Sequence, residues 1–307
     1  MKYLRTAIFL FVATVSVAQT CKFSVSGTNM TLLNDCVVSA PITIPDGFTL
    51  NGNNHLISAP DSGSGLFKPG IITNGGAVAN VKNLIIETIP KGICNSHATT
   101  NAIWFSSTSG SITGNTLLNT GDWNCVAGNS GITLLSPINV TVSGNRVYNT
   151  YGAALSVTCV GWPNCNGGGT VNITTNEFST SNTCCDSMIY LSGVTGSFTH
   201  NTLNALVVYP TAIEMDNTLA GFKVTSNNIN LANGAASQSG ILVNSDGASI
   251  TGNRIFNVGT NPSGAFGIYN RGASNPGSNN ISGNEIRCYG TPVFQVTGKN
   301  VILTCPW

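Results

Sequence analysis

A five-residue pattern of alternating polar and apolar side chains, closed by an asparagine, recurs along the chain. The copies cover residues 111–115, 141–145, 172–176, 197–201, 223–227, 249–253 and 280–284. Successive asparagines are 30, 31, 25, 26, 26 and 31 residues apart, and Asn53 and Asn83 extend the series upstream with weaker matches. Because alternation with a period of two is typical of a half-buried strand, each copy predicts a β-strand that ends at a turn.

Two further strands are predicted in each repeat, one before the motif and one after the asparagine. The preceding strands cover residues 103–106, 132–135, 155–158, 189–192, 213–216, 241–244 and 268–271, and residues 146–148 and 254–256 represent the following ones. Three short strands per repeat match one coil of a parallel β-helix, whose coils stack about 4.8 Å apart. A β-sandwich would instead show Asn-Gly turns about every 8–12 residues, and a propeller blade would need about 40 residues.

The strand register predicts two internal columns that run the length of the helix. The aliphatic column contains Ile112, Val142, Ile173, Phe198, Val224, Ile250 and Ile281. The asparagine ladder contains Asn115, Asn145, Asn176, Asn201, Asn227, Asn253 and Asn284. Asparagine tolerates the left-handed backbone of a sharp corner, and its amide can bond to the asparagines above and below it. The pattern therefore predicts an all-β, single-domain, right-handed parallel β-helix of about eight to nine coils.

The N-terminal segment, residues 1–20, has the features of a secretory signal peptide. Lys2 and Arg5 precede an apolar run at residues 7–15, and small residues follow it. Residues 21–307 are then the β-helix domain, with residues 21–59 as an N-terminal cap and first coil that protects exposed strand edges. No second segment approaches the roughly 18 apolar residues of a membrane span. We therefore expect a secreted, extracellular protein that does not insert into a membrane.

Charged side chains are scarce, and this scarcity excludes several functional classes. They make up 7% of the chain, with 12 basic and 11 acidic residues, whereas an ordinary soluble domain has about 25%. A nucleic-acid-binding protein needs clustered Lys and Arg, which the chain lacks. A disordered segment combines low hydrophobicity with high net charge, but 41% of these residues are hydrophobic and the net charge is +1.

All ten cysteines follow the predicted signal peptide, and an even number in an oxidising compartment predicts disulfides. The candidate pairs are Cys21 with Cys36, Cys94 with Cys125, and Cys288 with Cys305. The remaining four, Cys159, Cys165, Cys184 and Cys185, allow three connectivities. No cysteine or histidine spacing of the zinc type is present, so we predict neither a metal site nor a cofactor.

Two segments carry a resemblance to a known group of proteins. Residues 44–55, IPDGFTLNGNNH, and residues 71–84, IITNGGAVANVKNL, resemble the first two coils of secreted right-handed β-helix repeat proteins of the actinobacterial type. With the later Gly-Asn motifs the likeness covers most of the mature chain, and it implies the pectin-lyase-like fold. That fold includes lyases, hydrolases, epimerases and phage tailspikes, so the resemblance does not choose a chemistry. The sequence motifs of polygalacturonases and mannuronan epimerases are missing.

A candidate site is predicted on the strands that precede the motif. Since Ile213 and Met215 point inward, Glu214 and Asp216 point outward about 7 Å apart, a spacing that suits an acid and base in an inverting glycosidase. Stacking adds two outward columns. One contains Tyr190, Glu214, Leu242 and Tyr269, and the other contains Ser192, Asp216, Asn244 and Arg271. Tyrosines can stack on sugars and Arg271 can hold a carboxylate, although Asp216 and Arg271 could instead form an ordinary ion pair. Trp162, in the 159–169 insertion, is a second candidate contact.

A second outward surface lies beside the aliphatic column. Its residue pairs are Ser111/Thr113, Thr141/Ser143, Asn172/Thr174, Ser197/Thr199, Lys223/Thr225, Ser249/Thr251 and Asn280/Ser282. Such hydroxyl ranks resemble ice-binding solenoids but also occur because Thr suits an exposed strand. Four N-glycosylation sequons begin at Asn29, Asn139, Asn172 and Asn280, and they matter if the host is eukaryotic.

These observations lead to one functional expectation and two alternatives. We expect binding of an extracellular polysaccharide, with Glu214, Asp216 and Arg271 as candidate catalytic residues and Tyr190, Asn244, Tyr269 and Trp162 as substrate contacts. The first alternative is a polysaccharide lyase or glycoside hydrolase acting on uronate-containing or neutral glycans. The second is a structural or adhesive surface module, with ice binding as a less favoured variant. The sequence leaves the oligomeric state open.

Overall fold

The computed structural model describes the greater part of the chain after the N-terminal segment. The described residues are 19–60, 67–89, 101–118, 130–148, 150, 152–159, 168–180, 187–205, 211–231, 239–257, 265–272, 274–289, 291–294, 298 and 300–303. The predicted signal peptide, residues 1–20, lies almost entirely outside them. Among the described residues, no helix has the length and hydropathy that crossing a membrane requires.

Short β-strands make up nearly all of the regular structure. The first sixteen are β1 Phe23–Ser26, β2 Asn29–Leu32, β3 Cys36–Val37, β4 Ile42–Ile44, β5 Phe48–Asn51, β6 Leu56–Pro60, β7 Gly70–Asn74, β8 Val78–Lys82, β9 Ile85–Ile89, β10 Asn101–Ser106, β11 Ser109–Thr113, β12 Thr116–Leu118, β13 Ile132–Leu135, β14 Asn139–Ser143, β15 Arg146–Tyr148 and β16 Leu155–Thr158. The next are β17 Thr170–Thr174, β18 Glu177–Thr180, β19 Ser187–Ser192, β20 Thr195–Thr199, β21 Thr202–Ala205, β22 Thr211–Asp216, β23 Lys223–Thr225, β24 Asn228–Leu231, β25 Ser239–Asn244, β26 Ser249–Thr251, β27 Arg254–Asn257 and β28 Phe266–Asn270. A 3₁₀ turn at Pro276–Ser278 precedes β29 Asn280–Ser282, β30 Glu285–Arg287, β31 Thr291–Phe294 and β32 Val301–Leu303.

The strands form three long sheets, each containing one strand from every coil. Sheet 1 runs β4-β7-β10-β13-β16-β19-β22-β25-β28-β31, sheet 2 runs β1-β2-β5-β8-β11-β14-β17-β20-β23-β26-β29, and sheet 3 runs β3-β6-β9-β12-β15-β18-β21-β24-β27-β30-β32. The chain passes from sheet 1 to sheet 2 to sheet 3 and then begins the next coil. Neighbouring strands are parallel, as in β14 with β17. The predicted parallel β-helix is therefore confirmed.

The coil count is slightly higher than the eight to nine predicted, because partial coils add to nine complete ones. Strands β4 to β30 make nine complete three-strand coils within the described residues, and partial coils flank them at both ends. The N-terminal end is finished by β1, which pairs antiparallel with β2 and so occupies the edge of sheet 2. A hairpin at this edge covers the backbone groups of β2 that a further coil would otherwise pair.

The interior is a continuous apolar core. The predicted aliphatic column is confirmed, since its members stack in register and are fully buried: Ile112, Val142, Ile173, Phe198, Val224, Ile250 and Ile281. Burial of apolar surface contributes about 25 cal/mol per Å², so this column and its counterparts in sheets 1 and 3 dominate the stability of the solenoid.

The asparagine ladder is confirmed at all seven predicted positions, and its hydrogen bonds repeat from coil to coil. Asn145 donates from its backbone N and from Nδ2 to Oδ1 of Asn176, both at 2.9 Å, and Nδ2 also donates to the carbonyl of Ile112 at 2.8 Å. The side chains are almost completely buried. The ladder continues to Asn300, whose Oδ1 accepts from Asn284 Nδ2 at 2.9 Å. Each amide thus satisfies buried polar groups that water cannot reach.

One part of the prediction about the ladder was wrong. The left-handed backbone at the corner belongs to the residue before each ladder asparagine, not to the asparagine. These residues are Gly114, Gly144, Thr175, His200, Ser226, Gly252 and Gly283. Upstream, Asn83 itself is left-handed with φ 51°, and buried Leu84 takes the ladder position. Asn53 is also left-handed, so neither upstream asparagine extends the ladder.

The cysteines are oxidised where the structure describes them. Cys21 and Cys36 form the predicted disulfide, with a Cα–Cα distance of 4.8 Å, and it ties the start of the described chain to β3. Cys159 and Cys288 are also disulfide-bonded, with partners outside the described residues. Cys94, Cys125, Cys165, Cys184, Cys185 and Cys305 lie outside them as well, so the Cys94–Cys125 and Cys288–Cys305 pairings stay predictions.

Candidate functional site

The outer face of sheet 1 carries the two columns that the sequence predicts. The strand register places Tyr190 beside Glu214, Glu214 beside Leu242, and Leu242 beside Tyr269. The column continues in both directions, through Trp104, Thr133 and Ser156 on one side and Phe294 on the other. These side chains therefore form one outward row along the helix axis.

The second column is displaced by two residues along the same strands. Asp216 pairs with Ser192 on one side and with Asn244 on the other. Arg271 follows β28, and its backbone N donates to the carbonyl of Val243 at 2.9 Å, which places it next to Asn244. Ser192 was predicted to be an outward residue of this column. Its register is as predicted, but its side chain is fully buried. The accessible part of this column therefore begins at Asp216.

Both candidate carboxylates are held by side chains from the preceding coil. Glu214 Oε2 accepts a hydrogen bond from the Ser187 hydroxyl. Asp216 Oδ2 accepts from the Tyr190 hydroxyl at 3.1 Å, and Oδ1 accepts from Asn217 Nδ2 at 3.4 Å. Hydrogen bonds to a carboxylate within a side-chain network reduce its rotational freedom. The two acids are therefore fixed in position before any ligand arrives.

Tyr190 is a persistent hydrogen-bond donor at this site. Partial burial, followed by the charge of Asp216, raises the pKa of Tyr190 to about 12. A phenol next to a carboxylate resists deprotonation because the second negative charge would be repelled. Tyr190 therefore keeps its proton throughout the neutral and mildly alkaline range, and its hydroxyl remains directed at Asp216.

An aromatic cluster occupies the C-terminal end of the same face. The rings of Phe266 and Tyr269 stack with centroids 4.5 Å apart, and Phe294 meets Tyr269 edge-on at 5.2 Å. The guanidinium carbon of Arg271 lies 5.7 Å from the centroid of the Tyr269 ring, within cation–π range. Phe294 remains 40% exposed, so the cluster presents apolar ring surface beside a positive charge.

The sequence analysis missed three members of this face: Ser187, Phe266 and Phe294. Ser187, Thr211, Ser239 and Phe266 share one register position, three residues before the outward column. Phe294 follows from aligning Thr291–Phe294 with the strand one coil earlier. A stricter alignment of the coils would have shown both signals. Trp162, the remaining predicted contact, lies outside the described residues.

The outer face of sheet 2 bears the predicted hydroxyl ranks. Thr113, Ser143, Thr174, Thr199, Thr225, Thr251 and Ser282 stack in one column, and the neighbouring column mixes Ser, Thr, Asn and Lys. Several of these groups bond to their neighbours, as Thr199 Oγ1 does to Thr174 Oγ1 at 3.3 Å and Ser197 Oγ to Asn172 Oδ1 at 3.1 Å. Such bonds are those expected of an exposed polar strand.

The outer face of sheet 3 concentrates charge that the sequence analysis did not assign to any surface. Arg146 Nε lies 3.8 Å from Glu177 Oε2, and Tyr148 donates its hydroxyl proton to the same carboxylate oxygen at 3.0 Å. Four coils further on, Arg254 Nε lies 2.9 Å from Glu285 Oε2. Among the described residues, no group of three or more His, Cys, Asp or Glu side chains is arranged to hold a metal ion.

Two solved structures are similar to this chain at low identity. The Dettilon tailspike protein shares 11% identity with a TM-score of 0.44, over 90% of this chain and 61% of that one, so the chain spans about three fifths of the tailspike's length. A mutant of the periplasmic alginate epimerase AlgG shares 11% identity with a TM-score of 0.42, over 92% of this chain and 78% of that one. Comparisons with protein-family models and with curated proteins found no match.

Proposed function

We propose that this β-helix protein binds an extracellular polysaccharide along the outer face of sheet 1. The observation that carries the proposal is the continuous column of Tyr190, Glu214, Leu242 and Tyr269, which ends in the exposed ring of Phe294. A row of this kind offers ring surface and hydrogen-bonding groups at the regular spacing of the coils. An extended polymer, which repeats along one direction, fits a surface that does the same.

Each accessible side chain has a chemical role in this proposal. The rings of Tyr269 and Phe294 would pack against the apolar faces of sugar rings. Arg271 would pair with a carboxylate of an acidic sugar, and Asn244 would exchange hydrogen bonds with hydroxyl groups. Glu214 would accept hydrogen bonds from sugar hydroxyls at the centre of the row. The chemistry suits a uronate-containing glycan best, because Arg271 supplies charge as well as hydrogen bonds.

Glycoside hydrolysis is the second candidate, and the pair Glu214 and Asp216 favours it. They occupy alternate positions of β22, which places their Cα atoms about 7 Å apart. An inverting enzyme needs two carboxyl groups about 6.5–9.5 Å apart, one as the acid and one as the base that activates water. The donors on both carboxylates would hold this pair in place. In the other alternative, an adhesive surface module, the same residues would bind the glycan and no acid–base step would follow.

A polysaccharide panel separates these functions. Affinity electrophoresis of the purified protein on gels containing polygalacturonate, alginate, chondroitin or neutral glucans measures binding. Reducing-sugar release and absorbance at about 232 nm report hydrolysis and lyase products on the same substrates. Retarded migration without either product supports binding alone. Unretarded migration on every glycan contradicts the proposal.

Variants then locate the site. Tyr269→Ala and Arg271→Gln should each weaken retardation about tenfold, since each removes one direct contact. Glu214→Gln and Asp216→Asn should abolish any turnover while leaving the fold intact. Thr199→Ala, on the outer face of sheet 2, is the matched control and should bind like the parent protein. Equal loss of binding in the control would show that the effect is not local to sheet 1.

We also propose that the protein is exported after removal of residues 1–20. The disulfide between Cys21 and Cys36, at the beginning of the described chain, supports an oxidising destination. Expression with the natural N-terminus should yield secreted protein whose first residue lies near Cys21, as measured by N-terminal sequencing. Retention of the leader on cell-associated protein would contradict export.

A further inference from the structure

A second array of chemically active side chains lies on sheet 3, on the opposite side of the asparagine turn from sheet 2. The outward residues of β24, β27 and β30 stack into two adjacent columns. One column contains Asn228, Arg254 and Glu285, and the other contains Asn230, Phe256 and Arg287. Together they line a surface depression of about 120 Å³. This depression shares no residue with the face of sheet 1.

The charges of this array do not balance. Glu285 is bonded by both arginines, with Arg254 Nε at 2.9 Å from Oε2 and Arg287 Nε at 2.6 Å from Oε1. The hydrogen bonds from Arg287 and then from Arg254 hold the pKa of Glu285 below its ordinary value. Glu285 is therefore ionised near neutral pH, and two guanidinium groups against one carboxylate leave a net charge of +1.

The arginines keep groups available for another partner. The Arg254 side chain is 65% exposed and that of Arg287 is 42% exposed. Arg254 meets Glu285 through Nε, which leaves its two Nη groups for a ligand. The half-buried side chain of Phe256 neighbours both arginines in the sheet, because it is two residues from Arg254 on the same strand and pairs across strands with Arg287. A planar ring beside fixed cations is a combination that recognises an acidic sugar.

The surroundings of the depression supply amide groups as well. Asn230 Nδ2 donates to Asn204 Oδ1 at 2.9 Å, which orients the Asn230 amide at the edge of the depression. Asn228 is exposed beside Arg254. Amides of this kind exchange hydrogen bonds with the hydroxyl groups of a pyranose. A site that binds only uncharged sugars would not need the guanidinium group that exceeds the single carboxylate.

We propose that this depression is a second binding site, specific for a carboxylate-bearing sugar unit, with Arg254 and Arg287 as the anion clamp and Phe256 as the stacking platform. It is independent of the face of sheet 1 and would give the protein a second point of attachment to an acidic polymer. Two attachment points raise the overall affinity for a long chain when both can be engaged at once.

The same sheet provides an internal comparison. Arg146 and Glu177 form a one-to-one pair at 3.8 Å between exposed side chains. That pair is neutral. Tyr148 occupies the position that Phe256 has in the proposed site, but Ser179 stands where the proposed site has its second cation, Arg287. If the sheet 3 charges served only to pair neighbouring strands, one arginine for each glutamate would suffice. Arg146→Gln is therefore the matched control for the proposed site.

The test uses the full-length mature protein and a galacturonate hexamer, with maltohexaose as the uncharged probe. Isothermal titration should show that the hexamer binds and that added salt weakens this binding. The affinity should fall at least about tenfold in Arg254→Gln/Arg287→Gln. It should stay unchanged in Arg146→Gln. Phe256→Leu keeps the apolar volume and should weaken binding without changing its salt dependence. Equal binding of maltohexaose, or an equal loss in Arg146→Gln, would overturn the proposal.

A second background separates this site from the one on sheet 1. In Tyr269→Ala/Arg271→Gln, the sheet 3 site should still bind about one hexamer per protein, and adding the Arg254 and Arg287 substitutions should remove that binding. If the sheet 1 variant loses all binding, the second site does not exist although the first does. If the sheet 3 variant alone loses all binding, the proposal for sheet 1 fails while this one stands. Melting temperatures of the variants establish that each is folded.

Discussion

The hydroxyl of Tyr190 donates a hydrogen bond to Asp216 Oδ2 at 3.1 Å, although the two residues are 26 positions apart in sequence. The contact is diagonal: Tyr190 pairs with Glu214, and its hydroxyl reaches the acid two residues further along the neighbouring strand. Parallel stacking with a constant register makes this possible, because a long side chain reaches diagonal neighbours across strands. The contact couples the two outward columns of sheet 1.

This contact predicts a pH dependence of stability on the alkaline side. The pKa of Tyr190 is raised to about 12 in the folded protein, whereas an unfolded tyrosine has a pKa of about 10. Since the folded form holds its proton more tightly, the contribution of Tyr190 is complete below pH 10 and is lost as the pH rises towards 12. Urea unfolding from pH 8 to 12 should therefore show a smaller alkaline loss in Tyr190→Phe than in the parent protein. Identical pH profiles would contradict the raised pKa.

Removing one rung of the asparagine ladder should be strongly destabilising. Asn176 Oδ1 accepts two bonds from Asn145, and its Nδ2 donates to Asn201 Oδ1 at 2.9 Å and to the Val142 carbonyl at 3.0 Å. Asn176→Ala leaves several of these buried partners unsatisfied, and we expect a loss of about 3–5 kcal/mol in urea unfolding. Asn172→Ala, at an exposed position of the same coil, should cost less than about 1 kcal/mol. Similar losses of unfolding free energy in Asn176→Ala and Asn172→Ala would show that the ladder does not stabilise the fold.

The interior of the solenoid was predictable because it repeats. Residues equivalent to Ile173 and Asn176 recur in seven successive coils, from β11 to β29, so a period near 26 or 31 residues reveals them even without a known structure. Asn300 was not predicted because it breaks this period: it follows Asn284 by only 16 residues. The last rung departs from the period, and a search for constant spacing cannot find it.

The candidate sites were predictable only in part, because they depend on diagonal contacts. The alternation of side chains along β22 correctly predicted that Glu214 and Asp216 point outward. It did not reveal that Ser187 reaches Glu214 or that Tyr190 reaches Asp216, since these contacts join different register positions. The array around Glu285 was missed because its strands are short: β24 and β27 have four residues each and β30 has three. A strand of three or four residues gives too little alternation for its two faces to be assigned from one coil.

Gly196 is predicted to tolerate no side chain. Its φ is +117°, and a Cβ atom at this position would lie 2.0 Å from the backbone carbonyl oxygen of Val171 in the preceding coil. Gly196→Ala must separate two hydrogen-bonded strands, so we expect a loss of about 4 kcal/mol or failure to fold. Gly27→Ala is the control: its φ is +57° with no atom within 4 Å, and left-handed strain alone costs about 1–2 kcal/mol. Equal stability losses would show that the close approach is unimportant.

The disulfide between Cys21 and Cys36 should stabilise the N-terminal cap. The two cysteines are separated by 15 residues, and closing a loop of that length contributes about 3 kcal/mol by restricting the unfolded chain. Replacing both with serine should increase cleavage of the β1–β2 hairpin by a nonspecific protease, followed by mass spectrometry of the fragments. Because each coil contacts only its neighbours, the central coils should remain resistant. Uniform cleavage along the chain would indicate that the cap and the coils unfold together.

The four N-glycosylation sequons predict a protein that carries its glycans on one side. Asn29, Asn139, Asn172 and Asn280 all lie on strands of sheet 2, and all four are exposed. In a eukaryotic secretory host, glycopeptide mass spectrometry should therefore find N-glycans only on this face, leaving the outer faces of sheets 1 and 3 bare. Enzymatic deglycosylation should then leave the affinity for polygalacturonate within about twofold, because large surface sugars interfere only with the face that bears them. A larger gain in affinity after deglycosylation would mean that the glycans reach the proposed binding faces and that sheet 2 is not a separate surface.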